Sequence, residues 1–210
     1  MIAGTQWGPQ VVSETARSLV VTYWPTVCDA AWCKAMSAPG LPSPVTTNIY
    51  TSRRAQWQAE TQPAFGLTVI RTDSEIIDAL GVMDQVHELE ISVNADWGYY
   101  DALGDAQPLV QATFPDPDIP FTEEVYETAL RAYVEGIVLI LTSPVYGFVN
   151  YDARNQNTPG FTYTGIFNCL PGTGVTPQDF VVGMDDTGQT VIQQTVRATI
   201  QVHQRRVIAR

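Results

Sequence analysis

FTEEVYETALRAYVEGIVLILTSP, residues Phe121 to Pro144, is the stretch against which the rest of the chain is read, because every helix signal in it agrees. Thr122 is a good N-cap, Glu123 and Glu124 bring negative charge to the first turn, and Ser143-Pro144 stops the helix. Between these ends Tyr126, Leu130, Tyr133, Val134, Ile137 and Leu141 recur at helical spacing, and Val125, Ala129, Val138 and Ile140 widen the stripe. A helix apolar around so much of its circumference has to be covered on more than one side. It is expected to lie between a sheet and a further layer.

The natural sheet partner lies upstream. In Val86 to Ala95, Leu89, Ile91 and Val93 alternate with Glu88, Glu90, Ser92 and Asn94, which predicts a strand with one buried face and one wet, acidic face. Downstream, Thr190 to Ile208 reads as a long closing strand. Val196, Ala198, Ile200 and Val202 take its buried face, against Arg197, Thr199, Gln201 and His203.

Further out, Val11 to Val27 places Val12, Ala16, Leu19, Val20, Tyr23 and Val27 on one helical face, with Pro25 expected to kink or restart the helix. Its continuation through Cys28, Ala31, Trp32 and Met36 stops at Ala38-Pro39-Gly40. Val45 to Thr51 and Leu67 to Arg71 read as short strands, while Arg53 to Glu60 is polar and is left open. Thr72 to Gly81 reads as a short helix: Thr72 and Glu75 make a capping box, and Ile76, Ile77 and Leu80 form its apolar side. Phe161 to Leu170 and Phe180 to Met184 read as strands separated by a Gly/Pro turn at Pro171 to Pro177, with Asp185 to Gly188 turning into the closing strand. The order predicts one α+β domain over residues 1–210, with a largely antiparallel or mixed sheet packed against an N-terminal helix and a long central helix. Long loops are expected at about 96–120 and 151–160.

The 210 residues carry a formal net charge of −11. Of the 22 acidic residues, 16 lie between Glu60 and Glu135, where the lysines and arginines reduce to Arg71 and Arg131. General nucleic-acid binding is disfavoured by that charge. The end of the chain is basic instead: Arg197, Arg205, Arg206 and Arg210 follow the last acid, Asp186, and could meet an acidic neighbour such as a second copy. No apolar run is long enough to span a membrane, and the start MIAGTQWGPQ lacks the features of a signal peptide, so a cytoplasmically made protein with no membrane partner is expected.

Catalytic signatures are sparse. Phosphate-loop, dinucleotide, nucleophile-elbow and zinc-protease motifs do not occur. Cys28 and Cys33 would stand about 140° apart on a helix, which favours reduced, buried thiols over a metal or redox site. His87 shares parity with Leu89 and Ile91 and reads as a hydrogen-bonded structural histidine, whereas His203 falls on the solvated phase of its strand. Asp116/Asp118 and Asp185/Asp186 are the tightest carboxylate pairs, but both sit in turn sequence. Glu88 and Glu90 mark an acidic face. Trp97, Tyr99 and Tyr100 form an aromatic group in the loop predicted after Ala95 and would suit a subunit, protein or sugar contact. No cofactor or metal is expected.

The layout resembles the tail-terminator proteins of long-tailed bacteriophages. The resemblance rests on the N-terminal helix Val11 to Val27, the strand Val86 to Ala95, the long loop, the helix beginning EEVYETALRAYVEGIVLIL, and the closing pair VVGMDDTG through RATIQVHQR. It implies a non-enzymatic virion protein that forms a ring, commonly a hexamer, which caps the tail tube and meets the head connector. Under it, Glu88 and Glu90 could line a lumen through which DNA passes without specific binding. Trp97, Tyr99, Tyr100, Arg197, Arg205 and Arg206 could serve subunit or partner contacts. The alternatives are another neck component (a head-completion or stopper protein), a carbohydrate- or protein-binding module using the Trp97 loop, and a small hydrolase using a carboxylate pair with His87.

Overall fold

The strand predicted around Leu89 extends further in both directions, so that β3, Val82–Tyr100, has 19 residues. β8, Thr190–Val207, lies antiparallel to it along nearly its full length, pairing Val82 with Val207 at one end and Tyr99 with Val191 at the other. On the other side of β3 lies β2, Ala64–Ile76, also antiparallel. A computed structural model of the chain describes residues 9–38, 41–52, 63–76, 82–100, 103, 106–108, 123–148, 168–171, 176–177, 181–184 and 190–207. Its two long helices are α1, Pro9–Val27, and α3, Glu123–Thr142, and a short α2, Ala30–Ala35, follows α1 in the chain.

The sheet is mixed. β1, Ile49–Tyr50, pairs parallel with β2 on one edge. On the other edge β5 (Asn168–Pro171), β6 (Thr176–Pro177) and β7 (Val181–Met184) each pair antiparallel with β8, and β4, Ala106–Pro108, pairs with the end of β3. The path through the sheet is β1-β2-β3-β8-β5, and the chain is therefore α+β. A bulge between Val69 and Arg71 changes the phase of β2: Val69 pairs with Leu89, but Arg71 pairs with Glu88 and Thr72 with His87. Without that extra residue Arg71 would be carried to the buried face.

Both helices cover the same face of the sheet. There Leu89, Ile91, Val93, Val196, Ala198, Ile200 and Val202 meet Leu130, Tyr133, Val134, Ile137 and Leu141 of α3 and Val12, Ala16, Leu19 and Val20 of α1, all of them buried. Burying a side chain of this size contributes about 1.5–3 kcal/mol, so this layer is the main source of stability. An aromatic group knots the layers together. Tyr133 lies 5.3 Å from Trp24 and 5.1 Å from Phe65 between ring centroids, and its hydroxyl donates to the Pro42 carbonyl at 2.8 Å. Gly136 permits the close approach of α3 to α1, since a Cβ there would stand 2.8 Å from Cys28 Sγ and 2.9 Å from the Trp24 ring. A glycine in a helix interior costs about 1 kcal/mol against alanine, and here that cost is met by contact.

Several expectations are corrected. Thr72 to Ile76 is not helical; it is the outer half of β2, pairing through Ile76 with Met83, and residues 77–81 lie outside the described residues. A local capping box is outcompeted here by a cross-strand ladder that a helix would leave unmade. Asp96 to Tyr100 is not loop but the end of β3, with β4 beside it, so the 96–120 loop is interrupted by strand. Val45 to Thr51 shortens to two strand residues. Thr46–Asn48 forms a 3₁₀ turn instead, because Asn48 Oδ1 accepts from the Val45 amide at 3.0 Å and its Nδ2 donates to the Pro63 carbonyl at 3.1 Å. Pro171 and Thr176–Pro177 pair with β8 rather than forming only a turn. α1 continues past Pro25 to Val27, and its most buried aromatic is Trp24, while Tyr23 is half-buried. The predicted cap Thr122, the loop 151–160, Phe161 to 167 and the turn Asp185 to Gly188 lie outside the described residues.

Candidate functional site

The face of the sheet opposite the helices holds the positions of Glu88, Glu90, Arg197 and Arg205, whereas His87 and Arg206 fall in the other phase of their strands. β3 directs Asp84, Val86, Glu88, Glu90, Ser92 and Asn94 to the face opposite the helices, in register with Arg205, His203, Gln201, Thr199, Arg197 and Thr195 of β8. β2 adds Thr68 opposite Glu90 and, beyond the bulge, Arg71 opposite Glu88 and Asp73 opposite Val86. This outer face is polar because strand side chains alternate and the apolar phase has already been used on the helix side.

Two ion pairs form on this face among the described residues. Glu90 and Arg197 approach to 3.7 Å, the carboxylate being the more buried partner with 20% of its side chain exposed against 43% for the arginine. Arg71 bonds Asp73 at 3.0 Å, both well exposed. Exposed pairs of this kind contribute at most about 1 kcal/mol. Both glutamates are half-buried; Glu90 is paired with Arg197, and Glu88 lies in register with Arg71 and Gln201. Arg205 falls opposite Asp84 of its own chain, whereas Arg206 falls opposite Met83.

Part of this face is buried. Ser92 and Asn94 are covered almost completely, and Thr195 Oγ1 donates to Asn94 Oδ1 at 2.7 Å, while Asn94 Nδ2 and Arg197 Nε find no partner. Such unpaired buried donors cost about 1–3 kcal/mol each. Sequence reasoning placed Asn94 on the wet face, and nothing in its local pattern distinguishes it from Glu90.

Trp97, Tyr99 and Tyr100 belong to β3. Tyr99 is in register with Gln107 of β4 and Val191 of β8, and Trp97 falls at an irregularity between Asp96 and Gly98. The aromatic group thus has a strand backbone rather than a loop. The pairs Asp116/Asp118 and Asp185/Asp186 lie outside the described residues.

His87 is fully buried on the helix-side face, as its parity predicts. Its Nε2–H donates to Gln204 Oε1 at 2.9 Å, which leaves Nδ1 to accept from the Thr72 hydroxyl at 2.9 Å. Burial pushes its pKa down, the bond to Gln204 opposing that shift. The ring is held neutral with both nitrogens used. His203, expected on a solvated face, is half-buried, with Nε2 buried and unpartnered.

Cys28 and Cys33 are free, buried thiols, and Cys33 Sγ–H donates to the Cys28 carbonyl at 3.6 Å. Burial, with smaller contributions from Cys33 and Asp29, pushes the Cys28 pKa up to about 12, and burial also raises that of Cys33. Neither is a ready nucleophile. Among the described residues no three His, Cys, Asp or Glu side chains gather as a metal site, and no helix is long and apolar enough to cross a membrane. Compared with known protein families and with curated proteins, the chain matches none.

Proposed function

We propose that this is a non-enzymatic virion assembly protein of a long-tailed phage, a tail terminator acting as a ring of identical copies. By the resemblance the ring has six copies, caps the tail tube and joins it to the head connector, with DNA passing through without specific binding; the protein would be made in the host cytoplasm and reside in the virion. The observation that carries this reading is the placing of both long helices on one face of the sheet. They come in the order helix, strands, helix, strands, and among the described residues the opposite face is polar and carries the Glu90–Arg197 pair. A face whose arginine is already matched to a glutamate gives passing phosphates little to hold.

The hydrolase reading loses support at His87, since a buried imidazole with both nitrogens bonded inside its own chain is poorly placed to take a proton from a substrate. Another neck component, a head-completion or stopper protein, shares the assembly class and remains the second reading. Arg206 is the basic residue chosen for a contact with a neighbouring copy, because Arg205 is in register with an acid of its own chain, Asp84, and Arg206 with Met83. Negative-stain images of the purified protein test the proposal. Rings are expected for the native chain and for E88Q/E90Q, and fewer for R206E. Single-copy particles for the native chain at every concentration, or rings untouched by R206E but lost in E88Q/E90Q, would contradict the ring or its assigned contacts respectively.

A further inference from the structure

The apolar helix-side face of the long strands ends abruptly in a polar cluster. Toward the Val82 end of β3, the rows Leu67, Ile91, Ala198 and Val69, Leu89, Ile200 give way to the row Thr72, His87, Val202 and then to Ser74, Gln85, Gln204. Among the residues of β3 whose burial is described, His87 is the last fully buried one in that direction; Gln85 and Val86 are half-buried, and Asp73 and Ser74 of β2 are exposed. Three strands continue past this point, as residues 72–76, 82–86 and 203–207. His87 bonds Thr72 on β2 and Gln204 on β8, so one imidazole ties the central strand of this extension to both of its neighbours. Gln85 Nε2 adds a bond to Ser74 Oγ at 3.1 Å one row further out.

We propose that the His87 cluster is an acid-sensitive clasp that holds the outer ends of β2, β3 and β8 in register, and that protonating the imidazole releases those ends while the apolar body of the sheet stays folded. The neutral ring fits its cage. On protonation Nδ1 becomes a donor, and the Thr72 hydroxyl has to turn its own hydrogen away in order to accept. The larger obstacle is a net positive charge at a fully buried position.

The charged groups around the ring do not offset it. On the neighbouring outer-face positions stand Arg71 joined to Asp73, Glu88, and the second histidine, His203. From the helices on the same side, α1 carries Glu14 joined to Arg17, and α3 carries Glu127 joined to Arg131, with Glu124 and Glu135 exposed. Asp29 and Lys34 flank and occupy α2, both exposed. The balance at His87 is set by burial, opposed by the bond to Gln204. Its pKa lies below the ordinary 6.5 in the closed form, so the opened form takes up a proton first. The clasp is thus at full strength above that ordinary value and weakens as pH falls from it toward the lower value of the closed form.

Hydrogen exchange of the native chain, corrected for intrinsic rates, tests this between about pH 7.5 and pH 5. Amides of residues 72–76, 82–87 and 203–207 are expected to lose protection by about tenfold, while those of 89–95 and 196–202 keep theirs. The variant H87Q, whose amide can serve both partners without titrating, should show no such pH dependence, and H203N should behave as the native chain. Unchanged protection of the three ends at low pH would overturn the proposal, as would the same pH dependence in H87Q. If H87Q does not fold, the His87 ring protons of the native chain are titrated by nuclear magnetic resonance. A ring midpoint that coincides with loss of the end amides supports the clasp, and a mismatch sinks it.

Discussion

β3 and β8 present two faces on one backbone, and the faces hold the protein together by different physics. On the helix side, Leu89, Ile91, Val93, Ile200 and Val202 are fully buried under α1 and α3, and the energy comes from apolar area removed from water. On the outer side, the same strands offer Glu90 and Arg197 at 3.7 Å, and Thr195 bonded to a buried Asn94. Interactions there are directional and individually small. The difference teaches that the helix side sets stability, whereas the outer side adds smaller contributions one pair at a time.

Substitutions can break that contrast in graded steps. Trp24→Ala should be the most damaging, because Trp24 is 1% exposed and packs on Tyr133 and Trp32; a loss of about 3–5 kcal/mol in urea unfolding is expected. Gly136→Ala gains helix propensity but drives a methyl group against Trp24 and Cys28, and a net loss of about 1–2 kcal/mol should appear as a lowered thermal midpoint. Asn94→Ala removes the acceptor of the Thr195 hydroxyl and leaves a small void on the covered part of the outer face. Because the unpaired Nδ2 is removed as well, the net change should be no more than about 1 kcal/mol, and a double-mutant cycle with Thr195→Val should show coupling. Glu90→Gln loosens only a partly exposed pair and should change unfolding by less than about 1 kcal/mol, a change that disappears at high salt. Were Glu90→Gln to cost as much as Trp24→Ala, the distinction between the faces would fail.

What could be read from the sequence was what repeats at short range. The buried residues Val196, Ala198, Ile200 and Val202 followed from period two, and those of α3 from the stripe at Leu130, Val134, Ile137 and Leu141. His87 was placed on the buried face by parity alone. Its partners were not legible, because Thr72 is 15 and Gln204 117 residues away, and because the bulge that turns Thr72 inward leaves no mark in composition. The capping box at Thr72 and Glu75 misled for the same reason: a local signal was outweighed by a ladder formed with β3. The burial of Trp24 beside the half-buried Tyr23 depends on room left by Gly136, far away in the sequence. At the candidate site Glu88 and Glu90 were legible as an acidic alternation, but Arg197 beside Glu90 required the β3–β8 register.

The mass of the purified chain, measured by light scattering on a sizing column over a wide concentration range, tests the ring proposal most directly. A single copy weighs 23.1 kDa, and the proposal predicts a discrete closed assembly of about six copies that reappears on raising the concentration. A mass of 23.1 kDa across the whole range, with no larger species, would contradict it.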